Sequence, residues 1–522
     1  MGIAWNAKTI SQALNLEDIS KKIYLGKTGD FKAKKVEFNS QEITKGDIFI
    51  ALTGGKRDGH EFVLDALKKG ASFAICQEDI FQKQILTSHS LKSEYLKKNC
   101  LLVDNTYEAL LKLARFKRAN VNSKFIAITG SVGKTSTKEF LYQILSHFGL
   151  CYVSRSNFNN HIGLPLSMAS IPENTEFVVL EMGMNHMGEI RFLSQLAMPD
   201  IAIITKIGQA HIENLGNIEN ICRAKCEIFE GMKKDGCAII NSDSDFFDLQ
   251  KNIANNLGIE NILTFGSSPS NHCRVHFTSS GADSKLIDGK TLSTENLEKN
   301  LMIDAEYELQ GMKYNINAPG KHNAYNLAAI FLAVSFLKLN ISHAVNQANY
   351  IKTLPGRGKF YHCRFDHKDF NIIDDSYNAN PTSVNAALEN LSNIKGNKVV
   401  VLSDMGELGA GSIKLHESLA NEILASGVSQ VFTVGELMYY LFKKLENLIE
   451  NSPHHNNTKE SVEKNLDHEH HTLDKISLNY FQEANTKAFL EIAKQIKNNS
   501  TILVKGSNST NISKFIDFLL KQ

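Results

Sequence analysis

Residues 125–137 read Phe-Ile-Ala-Ile-Thr-Gly-Ser-Val-Gly-Lys-Thr-Ser-Thr. A short apolar, β-branched run followed by a glycine-rich turn and an amphipathic continuation predicts strand, tight loop and helix in that order. Gly130 and Gly133 let the backbone come close to phosphate oxygens. The N–H groups of Ser131, Val132 and Ser136 and the start of the helix supply positive potential. Lys134 adds a cation and Thr135 a hydroxyl suited to Mg²⁺. The first glycine of the usual G-x-x-x-x-G-K-[ST] pattern is replaced by Ile128, so this is the shorter G-x-x-G-K-T form. It predicts nucleotide binding at residues 130–136 but names no reaction, because many phosphoryl-transfer proteins share such a loop.

Outward from this loop, FVVL (177–180), IAIIT (201–205) and CAII (237–240) repeat the apolar run, with helical segments between them. That is the pattern of buried parallel strands with helical crossovers. Before Asn122-Ser123 lies a smaller block. Its expected strands are at 47–52, 71–76 and 101–103, and its expected helices are at 60–69 and 106–120. A third α/β block begins near Leu354-Pro355-Gly356, with strands expected at 370–373, 399–402, 431–434 and 501–505. The divisions are therefore 1–122, 123–351 and 352–522. Residues 267–308 are polar and turn-rich. Residues 452–472 carry five His (454, 455, 468, 470 and 471) and read as a solvated insertion, with metal binding as the sharper alternative.

The chain has 522 residues, 57 Lys+Arg and 56 Asp+Glu. A net charge of +1 argues against a generally basic nucleic-acid binder. The apolar stretch 327–337 is interrupted by Ser335 and is shorter than the ~20 residues of a membrane span. The N-terminus shows no secretion signal, and the eight scattered Cys form no zinc or disulfide pattern. A cytoplasmic protein with reduced thiols, and without stable membrane association, is expected.

Several segments place polar groups at the carboxyl ends of predicted strands, where open α/β sheets collect their ligands. Glu181 follows FVVL and is either a Mg²⁺ ligand or a polar strand end. His211, in Gly-Gln-Ala-His-Ile-Glu, is a second metal ligand or a loop-tip residue. Lys225 taken alone is an ordinary surface lysine. Asn159 and Asn160 lie in an Asn-rich stretch that reads first as a turn. Asn323 either caps the helix from 323 to 337 or faces a ligand, with Asn326 one turn on. Arg357 sits in a flexible Leu-Pro-Gly-Arg-Gly turn that suits a phosphate. Asp375, Tyr377, Asn378 and Asn380 follow another strand in Asp-Asp-Ser-Tyr-Asn-Ala-Asn-Pro.

In this order, TGSVGKTS, NFNNHIGLP, EMGMNHMGEI, IGQAHIENLG, RAKCEIFEG, PGKHNAYNLAA, LPGRG, DDSYNANP and LVKGS resemble the Mur ligase family. The resemblance runs over nearly the whole chain. It implies an α/β fold of three domains: a UDP-substrate-binding domain, a central P-loop ATPase with a mostly parallel sheet, and a C-terminal Rossmann-like domain. EMGMNHMGEI, DDSYNANP and SDMGELG are most similar to the family branch that joins D-alanyl-D-alanine to UDP-N-acetylmuramoyl-tripeptide through an acyl phosphate. That activity is ATP-dependent amide ligation in peptidoglycan precursor synthesis, and so bears on cell-wall biogenesis, cell shape and division.

The resemblance further implies that Thr135 and Glu181 hold the Mg²⁺ of ATP. It implies that His211 and a carbamylated Lys225 hold a second Mg²⁺, and that Lys134 acts with them in catalysis. Asn323 and Asn326 would face adenine, Arg357 phosphate and Asp375 ribose. Ser40, Asn159, Asn160, Tyr377, Asn378 and Asn380 would meet the substrates, and the protein would act as a monomer. Three departures stand out. The family's D-[ST]-R is Asn39-Ser40-Gln41, its Asn before Ile-Gly is Lys206, and its Arg after LVKGS is Asn508. A P-loop kinase or regulatory NTPase is the alternative from another class, but the downstream PGKHN and DDSYNANP elements argue against it.

Overall fold

A computed structural model describes residues 4–17, 19, 31–54, 57–85, 91–155, 158–209, 212–277, 302–451 and 476–521. The described residues form three sheets. The first has β1 (Val36–Glu37), β2 (Ile48–Ile50), β3 (Phe73–Gln77) and β4 (Cys100–Val103), all parallel and side by side in chain order. Alternate residues of its strands feed two layers. Ile48, Ile50, Phe73, Ile75 and Leu101 meet the helices Ala7–Leu14 and Thr106–Asn120 on one face. Phe49, Ala51, Ala74 and Cys76 meet the helix Val63–Lys68 on the other. The helix expected over 60–69 opens as a single 3₁₀ turn, Gly59–Phe62.

One side of this first core is completed from further along the chain. Leu166 and Ala169, on the helix Gly163–Ala169, are buried within it. The Trp5 indole donates to the Ala169 carbonyl at 2.7 Å. The Ser170 hydroxyl spans the Val36 N–H (3.1 Å) and carbonyl (3.0 Å). Arg155 reaches the fully buried Glu37 carboxylate at 2.7 Å.

The central sheet has nine strands. They are β5 (Lys124–Thr129), β6 (Cys151–Val153), β7 (Phe177–Glu181), β8 (Ile201–Ile204), β9 (Cys237–Asn241), β10 (Asn261–Gly266), β11 (Cys273–Phe277), β12 (Met302–Leu309) and β13 (Met312–Pro319). In space they run β13-β12-β11-β10-β9-β8-β5-β7-β6. All neighbours from β11 to β6 are parallel, whereas β12 and β13 form an antiparallel hairpin at the far edge. Gln310 (φ 53°) and Gly311 (φ 75°) close that hairpin, both in the left-handed region a tight two-residue turn requires.

Of the polar segment 267–308, the described residues 267–277 and 302–308 are mostly strand, and 278–301 lie outside the described residues. The helix Lys321–Phe336 is apolar nearly all round because it is buried, against β9, β10, β11 and the helix Lys134–Leu145. Among the described residues no helix is long and apolar enough to cross a membrane.

Successive strands depart to opposite sides of β5, so the strand order reverses there. A crevice opens at the carboxyl end of such a strand, and residues 130–136 lie at its mouth.

The third sheet has β14 (Lys359–Phe365), β15 (Lys368–Asp375), β16 (Asn397–Ser403), β17 (Gln430–Val434), β18 (Ser477–Phe481) and β19 (Ser500–Lys505), ordered β14-β15-β19-β16-β17-β18. Only β14 is antiparallel to its neighbour. The His-rich stretch 452–472 lies outside the described residues.

Candidate active site

The loop after β5 is strapped to the loop after β8. The Ser131 N–H donates to the Lys206 carbonyl (2.7 Å), the Ser131 hydroxyl to the Gly208 carbonyl (2.8 Å) and the Thr205 hydroxyl to the Val132 carbonyl (2.6 Å). Gly130 has no room for a side chain, since a Cβ there would sit 2.0 Å from the Thr205 hydroxyl oxygen. Gly133 (φ +86°) precedes the helix Lys134–Leu145 and offers it no side-chain cap, so the first-turn N–H groups face the crevice. Lys134 Nζ donates to the Gly130 carbonyl at 2.7 Å. Burial holds its ammonium below the ordinary lysine range, against the opposing pull of Glu181.

Glu181 is the last residue of β7 and 2% exposed. Its Oε2 accepts from the Thr135 hydroxyl at 2.8 Å and its Oε1 from the Asn159 carboxamide at 2.9 Å. Asn159, expected to meet substrate, is therefore engaged with the carboxylate. Lys225, on the helix Ile218–Cys226, is 1% exposed rather than on the surface. Its side-chain amine makes no hydrogen bond or ion pair with another described residue. Burial first, and the charge of Lys134 second, hold its amine well below the ordinary lysine range. Two residues on, the Glu227 carboxylate accepts the Gly188 N–H at 2.7 Å and the Arg191 N–H at 3.2 Å. This ties the Lys225 helix to the loop after Glu181. His211 lies outside the described residues.

Asn323 does not cap its helix. The cap is Gly320, and Asn323 sits three residues in, accepting from the Asn326 carboxamide at 3.1 Å. Asn326 also packs on Gly133, beneath the phosphate loop.

Across the crevice stand groups from the third sheet. The Arg357 guanidinium lies 4.2 Å from the centre of the Tyr377 ring. Lys505, buried at the end of β19, pairs with Asp375 at 2.6 Å and donates to the Asn378 carbonyl at 3.0 Å. The Asn380 side chain closes a capping box with Ser383 on the helix Pro381–Ser392, and Asn160 accepts the Gly163 N–H at 2.9 Å. These two serve their own backbones while lining the same cleft, whose volume is about 790 Å³. Ser40, in the first block, is not among the residues lining it. Lys321 and Glu389 (2.7 Å) bridge the two faces of the cleft.

Sequence reasoning passed over Lys505, Lys138, Glu407, Asp243 and Lys206 as site residues. All but Lys138 line the cleft, and Lys206 is one of the departures noted above. Asp243 accepts from the Tyr325 hydroxyl at 2.9 Å. Lys138 was legible as the residue one turn beyond Lys134 on the same helix face.

Glu407 is brought in by a loop with its own brace. His416 is fully buried, accepting the Met405 N–H on Nε2 (2.9 Å) and donating from Nδ1 to the Ser412 carbonyl (2.7 Å). Burial pushes its pKa down. The folded value thus lies below the unfolded value of about 6.5, and the folded state prefers neutral His416. Its stabilising effect is full above about pH 6.5 and is lost as pH falls through the folded value. Thermal melts between pH 5 and 8 should show this loss in the wild type. H416Q should melt lower at pH 8, by roughly 1–3 kcal/mol, with a flatter acid dependence.

Against known proteins, three family models match in succession: "Mur ligase family, catalytic domain" over residues 32–118, "Mur ligase middle domain" over 128–334 and "Mur ligase, glutamate ligase domain" over 357–508. A UDP-N-acetylmuramoyl-tripeptide–D-alanyl-D-alanine ligase of Rickettsia prowazekii is 35% identical over 517 residues, covering 98% of this chain and 99% of its own. This chain belongs to the Mur ligase family. The Bacillus subtilis ligase of the same name is 31% identical over 404 residues, 77% of this chain and 80% of its own. Among solved structures, MurF from Acinetobacter baumannii superimposes with a TM-score of 0.76 at 24% identity, covering 100% of this chain and 99% of that one. MurF ligase from Thermotoga maritima, in complex with ADP, gives 0.70 at 25% identity over 94% of this chain and 97% of that one. The three-sheet architecture of this Mur ligase is therefore the fold of those structures.

Two of the departures from family pattern have visible consequences in this Mur ligase. Asn39 accepts the Gln41 N–H at 3.0 Å and caps the short 3₁₀ turn Ser40–Glu42, so Asn39-Ser40-Gln41 is held as a compact turn. Lys206 keeps the backbone strap to Ser131 and adds a side chain to the cleft wall.

Proposed function

We propose that this Mur ligase uses ATP to join D-alanyl-D-alanine to UDP-N-acetylmuramoyl-tripeptide, in the cytoplasm and as a monomer. One observation carries the reading furthest. A phosphate loop, a buried carboxylate and a buried lysine on the central sheet face Arg357, Asp375 and Lys505 on the third sheet across a single cleft. A site so divided can hold a nucleotide on one wall and bring a second substrate in on the other. The relatives at 35% and 31% identity carry this activity in their names.

The chemistry brings an anionic carboxylate against an anionic triphosphate, so charge neutralisation is the main task. Lys134 and the N–H groups of residues 131–136 hold the transferring phosphoryl group. Arg357 meets the phosphates from the opposite wall, Asp375 the ribose, and Asn323 and Asn326 the base. Once the tripeptide carboxylate has become an acyl phosphate, the dipeptide amine attacks its carbonyl carbon. A tetrahedral intermediate then expels inorganic phosphate. Closure of the two walls keeps water from the acyl phosphate and sets the amine in line.

The Thr135 hydroxyl and Glu181 carboxylate fit Mg²⁺. Both are hard oxygen donors, and they lie 2.8 Å apart. Adjacent ligands of an octahedron with bonds of about 2.05 Å are about 2.9 Å apart. Among the described residues no three His, Cys, Asp or Glu side chains converge. His211 and Lys225, the latter as a carbamate, would hold a second Mg²⁺. Bound Mg²⁺ supplies Lewis-acid neutralisation of phosphate and carboxylate oxygens.

The test is phosphate release from Mg-ATP with UDP-N-acetylmuramoyl-tripeptide, with and without D-alanyl-D-alanine, with the nucleotide product weighed by mass spectrometry. UDP-pentapeptide formed only with all three substrates is the expected result. Release indifferent to the dipeptide would overturn it.

A further inference from the structure

Lys138 belongs to none of the roles above, yet it is one of the most deeply buried charges in the molecule, at 0% exposure. It lies one helical turn beyond Lys134 and is held from three directions. Its Nζ donates to the Ser154 carbonyl at 2.8 Å, lies 3.3 Å from Glu139 Oε1 and lies 3.9 Å from Glu181 Oε2. With a main-chain carbonyl and two carboxylates around it, the ammonium cannot swing away without leaving the buried Ser154 carbonyl without this donor and both carboxylates without this cation. The other donors to Glu181, the Thr135 hydroxyl and the Asn159 carboxamide, are neutral. Among the described residues, Lys138 is thus the one cation in ion-pair contact with this carboxylate.

A divalent ion on Glu181 Oε2 sits about 2.1 Å from that oxygen, and hence within about 6 Å of the Lys138 ammonium. In a buried site the two cations repel strongly. They compete for one carboxylate, and only a further anion resolves the competition. We infer that Lys138 is a positioning residue that keeps free metal off Glu181, so that divalent metal enters only together with the triphosphate. The coupling is reciprocal: nucleotide recruits metal, and metal tightens nucleotide. This inference rests on the reading of Glu181 as a metal ligand.

Manganese titration without nucleotide, read by the electron paramagnetic resonance of free Mn²⁺, tests it on the full chain. The wild type should bind Mn²⁺ only in the millimolar range. K138Q, which keeps a donor for the Ser154 carbonyl but no charge, should bind at least tenfold tighter, whereas K138R should match the wild type. A purely structural lysine predicts the reverse, because a disordered site binds metal more weakly. Unchanged or weaker binding by folded K138Q would overturn the inference. So would micromolar binding by the wild type, a result that does not depend on any variant folding. E181Q added to K138Q should abolish the gained binding. If it does not, the metal is not on Glu181, and the metal-ligand reading falls together with the inference.

Discussion

Replacing Lys134 with methionine should lower UDP-pentapeptide formation on the order of 10³-fold, with the fold and the thermal midpoint nearly unchanged. The side chain is partly buried, and its one hydrogen bond to a described residue is to the Gly130 carbonyl. That bond is local and is replaceable by water, so its loss does not open the core. What is lost is a cation that burial has stripped of much of its hydration and that, on the proposed function, meets the transferring phosphoryl group. Such a cation acts more strongly on the migrating phosphoryl group than on bound ATP. The deficit should therefore fall mainly on kcat, with nucleotide binding weakened far less. A loss confined to KM for ATP would assign Lys134 to ground-state binding alone.

The second large effect concerns Lys225. A lysine at 1% exposure with no described partner is costly as an ammonium, and Lys134 nearby adds repulsion. The neutral amine is therefore more accessible than in an ordinary lysine, and a neutral amine attacks CO₂ to give a carbamate with release of one proton. The product is an oxygen donor in a place where the sequence supplies only nitrogen. In CO₂-depleted buffer the wild type should lose most of its activity and regain it with bicarbonate. K225M should be lower by roughly 10²–10³-fold and indifferent to bicarbonate. Carbon-13 bicarbonate should give one slowly exchanging carbamate resonance in the wild type that is missing from K225M. Activity independent of CO₂, with no such resonance, would leave Lys225 as a buried amine and remove the second metal.

The sequence made these residues legible to different degrees, for physical reasons. The phosphate loop is read locally because strand, glycines, Lys134 and Thr135 are contiguous. Glu181 and Asp375 are read from position, since a carboxylate at the end of an apolar run has few places to go in a parallel sheet. Lys225 is different. Its own stretch describes a solvated helix face, and only tertiary packing removes it from water. Asn159 and Asn380 read from the sequence as substrate-facing amides, but their carboxamides are taken by Glu181 and by a helix cap. A hydrogen bond spanning 22 residues leaves no trace in local pattern. The hairpin of β12 and β13 was hidden for a related reason. Its strands form the antiparallel edge and alternate polar with apolar side chains, so they lack the apolar runs that mark the sheet interior.

The seam between the first two blocks bears on how such a chain can be rebuilt. A recombination point near residue 122 looks natural in the sequence, but the first core borrows Leu166 and Ala169 from beyond it, and Trp5 is anchored to that same helix. Cut there, the N-terminal piece would carry an uncovered apolar face, and the remainder would carry a helix still packed on the central core through Leu164 and Met168 but bare on its other face. Chimeras with another ligase of this architecture should therefore succeed when the segment 154–170 travels with the first 122 residues, as a discontinuous unit of inheritance.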